Sequence, residues 1–121
     1  MKQTLLYRLP LMMYCIIIFV QSSFSSLETL PSFAFSDKLM HLVGYALLGA
    51  LAVRAFKREF RHTPKVRVIT YAIVFSTLYG ASDEIHQSFV AERTADIMDV
   101  AADCLGSSLG AWIFWKDLFF D

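Results

Sequence analysis

Asp96, Asp99, Asp103, Gly106 and Gly110 follow one another at steps of 3, 4, 3 and 4. On a helix that spacing puts all five on one face. The segment around them is otherwise rich in Ile, Val, Ala, Leu, Trp and Phe. Carboxylates in such a segment are costly and are expected to face a polar interior or water, so they default to a functional role. Two other apolar segments carry matching clusters. One opens with Asp37, Lys38, His41 and Tyr45; the other closes with Asp83, Glu84 and Gln87. Lys38, His41 and Tyr45 face one way, Asp37 lies one turn above His41, and Asp83 and Gln87 are one turn apart.

These residue types define a limited chemistry. Carboxylate oxygens hold hard divalent cations, and Asp83, Glu84, Asp99 and Asp103 are the candidate ligands. Magnesium, calcium or manganese suits such a set better than zinc, because the cysteines are not placed to help. Lys38 and Arg93 can hold a phosphate or a carboxylate, and Arg93 is expected to pair with Asp96 or Asp99. His41 or Glu84 has the chemistry of a general base. The alternative is a structural network in which Lys38 and Arg93 merely hold three helices in register. The charge balance weighs against that alternative. Asp37, Asp83, Glu84, Asp96, Asp99 and Asp103 meet only Lys38 and Arg93, which leaves four negative charges over. Such an excess calls for protonated acids, a bound cation or a wet cleft.

The elements that must position these groups are apolar helices. The chain has 121 residues, of which 56% are hydrophobic. That is too apolar for an ordinary soluble protein of this size, and the length fits one domain over 1–121. Four segments, near 5–24, 39–56, 66–82 and 97–114, read as transmembrane helices. The expected fold is therefore all-α: a polytopic bundle of about four spans. Lys2, Arg8, Arg54, Lys57, Arg58, Arg61, Lys65, Arg67 and Lys116 fall on one side of it, against Lys38 and Arg93 on the other. The positive-inside rule then makes both termini and the basic loop cytoplasmic. A short basic loop between two spans is what insertion requires and can touch anionic lipid heads, so no nucleic-acid partner is expected.

The N-terminal run has a second reading. Lys2 and Arg8, an apolar stretch to Val20 and the serines that follow resemble a secretory signal peptide, whose removal would leave the later topology unchanged. Cys15 and Cys104 lie inside apolar segments without ligand spacing and read as free thiols. His86 has two readings, beside Glu84 in the cleft or facing the interface. Thr94 is the expected N-cap of the last helix, with Asp96 in its first turn. Gly106 and Gly110 fit the GxxxG packing pattern and are expected to seat a neighbouring helix of the same chain.

Asp37-Lys38-x-x-His41-x-x-x-Tyr45, Asp83-Glu84-x-x-Gln87 and the run from Arg93 through Asp99 to Gly106 resemble the VanZ-like membrane protein family. The resemblance spans roughly residues 37–110. Two positions depart from the family pattern: Ala91-Glu92 stands where a Pro-Gly pair is common, and Asp103 where an Asn is common. The resemblance implies a small multi-pass protein of the bacterial cell membrane. It also implies an association with the cell envelope and with resistance to the glycopeptide antibiotic teicoplanin; it supplies no reaction. Three functional readings stay open: binding of a lipid-linked or cell-wall component, a metal-dependent enzyme acting on a lipid-linked phosphate or peptidoglycan-type substrate, and a proton or ion relay. The clustering of the polar groups at one side weighs against a channel.

Overall fold

The computed structural model describes residues 1–24, 36–91 and 94–116. They form four helices: α1 (Lys2–Ser22), α2 (Ser36–Glu59), α3 (Lys65–Gln87) and α4 (Ile97–Lys116). Consecutive helices run antiparallel, as contacts at both ends establish. At one end Arg8 of α1 pairs with Glu59 of α2, and Lys57 and Lys65 both lie over the ring of Trp115 on α4. At the other end Lys38 of α2 reaches Asp99 of α4, and Ser22 of α1 reaches His86 of α3.

α1, α2 and α4 are each long and apolar enough to cross a membrane. The sequence reading expects four spans, and α3 is the exception in composition. It is as long as the others, but Ser76, Asp83, Glu84 and Gln87 lower its average. Those four side chains are buried, while Val66, Val74, Leu78 and Ile85 are exposed. α3 thus turns its polar groups inward and an apolar face outward, a distribution that mean hydropathy does not register. α1 carries the broadest apolar exterior, including Leu5, Leu9, Met12, Ile16 and Phe19. It is fastened by two tyrosines: Tyr14 donates to the Gly44 carbonyl (2.7 Å) and Tyr79 to the Cys15 carbonyl (2.5 Å).

The core lies among α2, α3 and α4, with Leu48, Ala52, Val53, Val68, Ala72 and Ala111 almost fully enclosed. Small residues set its geometry. A Cβ on Gly106 would meet the backbone of Leu42, one on Gly110 the backbone of Ala46, and one on Gly49 the backbone of Ser107. The α2 and α4 backbones therefore touch between residues 42–49 and 106–110, which helps to bring their polar first turns side by side.

The helices overrun the apolar segments read from sequence. α2 continues past the segment that ends at residue 56, through Lys57 and Arg58 to Glu59. Cations in a last turn complement the helix dipole and extend the helix past the apolar run. α3 likewise continues past Ser82 to Gln87. Cys15 and Cys104 are free.

Candidate functional site

Three helix ends meet at the acidic end of the bundle. Lys38, in the first turn of α2, donates to Asp99 at 2.6 Å, to Asp96 at 2.7 Å and to Asp37 at 3.3 Å. Its ammonium has three donors, and all three are used. Asp96 precedes α4 instead of lying in its first turn. Its Oδ1 accepts from the Met98 amide at 2.8 Å, so Asp96, not Thr94, is the N-cap. Its main-chain N–H donates to Glu84 Oε2 at 3.0 Å, tying the start of α4 to the end of α3. The Lys38 ammonium, then the Met98 amide, hold the Asp96 carboxyl below the ordinary carboxylate range.

His41 is the centre of the arrangement. Its Nδ1 lies 2.8 Å from Asp103 Oδ1. An aspartate only accepts, so Nδ1 carries the proton and donates. Nε2 then faces three carboxylates: Asp99 at 3.5 Å, Glu84 at 3.8 Å and Asp37 at 3.9 Å. Tyr45 stacks one turn below, with ring centroids 6.2 Å apart. Asp103 is fully buried, and Asp99, Glu84 and Tyr45 are nearly so. Glu84 Oε1, Asp103 Oδ2 and the Tyr45 hydroxyl have no hydrogen-bond partner among the described residues. Buried unpaired oxygens are costly and call for an explanation.

Two sets of three side chains have the mutual distances of metal ligands: Asp37, His41 and Asp99 toward the exposed rim, and His41, Glu84 and Asp103 beneath them. The sequence reading put Asp83 with the possible ligands and left His41 out. Asp83 is instead one turn from the Gln87 amide, which donates to it at 3.2 Å, and it belongs to neither set. The signal for His41 was available: it lies one turn from Asp37 and shares a face with Lys38. His86 faces α1, stacked on Phe19 with centroids 4.5 Å apart and within 3.3 Å of Ser22 Oγ. Arg93 and its expected pairing with Asp96 or Asp99 lie outside the described residues.

Fold and site together define a small helical membrane protein with a histidine–carboxylate centre at the acidic end of its bundle. The VanZ/LLP1 family model matches residues 5–120, and the chain belongs to that family. No curated protein matches the sequence, and no solved structure matches the fold.

Proposed function

We propose that the protein holds a divalent cation at the His41 centre and through it binds an anionic component of the cell envelope, on the outer side of the bacterial cell membrane. The observation that carries this reading is the environment of His41 Nε2. With Nδ1 engaged by Asp103, Nε2 is the ring nitrogen that faces three mutually repelling carboxylates, and in a neutral ring it carries the lone pair a cation would take. A metal-bound imidazole donates its other N–H to a carboxylate in this same way. A divalent ion would cancel two of the surplus charges and give Glu84 Oε1 a partner. An imidazole among carboxylates shifts the preference from magnesium and calcium toward manganese. A coordinated ion with open positions can bridge to a phosphate or carboxylate, which the acidic end alone would repel. The association of this family with glycopeptide resistance is consistent with an envelope ligand of that charge.

The outward orientation rests on the basic side chains gathered at the opposite end. Engineered cysteines near Ser32 and at Phe89 are expected to react with an impermeant thiol reagent from outside, and one at His62 to be spared. Labelling at position 62 alone would reverse the topology.

Cation binding is tested by thermal unfolding of the detergent-purified protein with Mn²⁺ or with chelator. Saturation at 100 times Kd stabilises by about 2.7 kcal/mol, a rise on the order of 10 °C for a chain of this size. Glu84→Gln and Asp99→Asn are expected to cut that rise by more than half. An unchanged melting temperature with every divalent ion, together with a more stable Asp103→Asn variant, would contradict the reading. It would favour protonated acids around an imidazolium.

A further inference from the structure

The opposite end of the bundle holds a second polar feature, unrelated to the acidic centre. A cavity of about 500 Å³ lies between the start of α1, the end of α2, the start of α3 and the end of α4. Arg54, Lys57, Arg58, Arg61 and Lys65 line it, and no acid does among the described residues. Positive side chains at a membrane surface ordinarily diverge into water. Here they are drawn together by aromatic faces. The Arg54 guanidinium lies 4.5 Å from the centre of the Tyr7 ring, and that of Arg58 lies 5.5 Å from it. Lys57 and Lys65 lie 5.0 and 5.6 Å from the Trp115 ring.

That mode of support matters chemically. A carboxylate partner would neutralise each cation and occupy its donors. A ring attracts the charge through its quadrupole without neutralising it. Among the described residues the acid at this end is Glu59, and it pairs with Arg8. Arg58 donates to Gln3, which removes none of its charge. Phe60 and Val68 add an apolar part to the wall. Five cations, four of them on aromatic supports, beside apolar surface form the complement of a phosphate group, and guanidinium forks suit its geometry.

We propose that this cavity binds a phosphate-bearing anion, supplied either by the headgroup of an anionic lipid or by a soluble phosphate compound. The site is separate from the acidic centre and does not depend on the cation there. Basic pockets between membrane helices bind lipid head groups, and this one lies at the basic end of the bundle.

The test uses the full chain in a neutral detergent. Native mass spectrometry reads retention of phosphatidylglycerol against phosphatidylcholine of the same acyl chains, and thermal unfolding reads the response to inorganic pyrophosphate. The wild type is expected to retain phosphatidylglycerol with roughly tenfold preference, and Arg54→Gln with Lys65→Gln to abolish that preference. Arg61→Gln and Lys65→Gln, each at the cavity rim, are expected to give smaller losses in the same direction, and they decide the matter if the double variant does not fold. Preference for phosphatidylglycerol with no response to pyrophosphate assigns the site to lipid. A response to pyrophosphate that the same variants remove assigns it to soluble phosphates. Equal retention of the two lipids with no pyrophosphate response, or variants that keep the wild-type preference, would overturn the proposal. Variants of this cavity leave the Mn²⁺ response intact, which separates its failure from failure of the acidic centre.

Discussion

Gly110→Val is expected to prevent the bundle from assembling. The new Cβ would stand inside the space of the Ala46 carbonyl, carbonyl carbon and Cα. All three are backbone atoms, so no rotamer change relieves the clash. Either α2 and α4 move apart along their length or α4 rotates. Separation opens the seam at Gly106 and Gly49 as well, because each is filled by backbone of the facing helix. Overpacking of this kind costs about 3 kcal/mol, a large share of the stability of a domain this size. Gly44→Ala is the matched control, since its Cβ would lie 3.7 Å from the Tyr14 hydroxyl, an ordinary contact. Alanine is also the better helix former, so that variant is expected to equal or exceed the wild type. Thermal unfolding monitored by circular dichroism in detergent separates the two. If Gly110→Val melted within a few degrees of the wild type, the direct α2–α4 backbone contact would be wrong.

The second large effect is expected at Asp103. Asp103 stands in the lower of the two ligand sets, but its contact is with His41 Nδ1 and not Nε2, so in this account it acts as a positioning residue. Asp103→Ala frees Nδ1, lets the ring turn, and removes the reason for Nε2 to present a lone pair. Loss of such an outer partner costs about 10- to 100-fold in metal affinity. Mn²⁺ titration followed by electron paramagnetic resonance is expected to show a loss of that size. Asp103→Asn keeps an acceptor oxygen toward Nδ1 and is expected to fall between alanine and the wild type. A merely structural role would lower the melting temperature of both variants and leave Mn²⁺ affinity alone. Asp83→Asn, outside both ligand sets, is expected to keep wild-type affinity.

Much of this architecture was legible in the sequence because the helices bury unusual residues at regular spacing. Asp99, Asp103, Gly106 and Gly110 keep a helical period, and all four are buried on the face of α4 that meets α2 and α3. The charge separation was legible too, since nine cations fall on one side in the sequence. Helix ends were not. An apolar run marks where lipid begins, while a helix continues as long as its backbone is satisfied, so Lys57 and Arg58 joined α2 beyond the run that ends at residue 56. Asp96 illustrates a finer limit. Its spacing to Asp99 suits a helical residue, but its carboxylate reaches the Met98 amide and makes it the cap. Periodicity cannot distinguish a first-turn residue from the cap that precedes it. The basic cavity was illegible for another reason: Tyr7, Arg54 and Trp115 come from three helices, and no spacing along the chain relates them.

The central claim is that His41 Nε2 ligates a divalent cation. Electron spin-echo envelope modulation on the Mn²⁺-loaded protein reads that bond directly, because a coordinated imidazole nitrogen modulates the echo of the manganese spin. The account predicts ¹⁴N modulation from one directly bound nitrogen in the wild type and its loss in His41→Gln, with Mn²⁺ still bound weakly by carboxylates. Bound manganese with no ¹⁴N modulation, or no bound manganese at millimolar concentration, would contradict it and leave His41 as an imidazolium countering the acids around it.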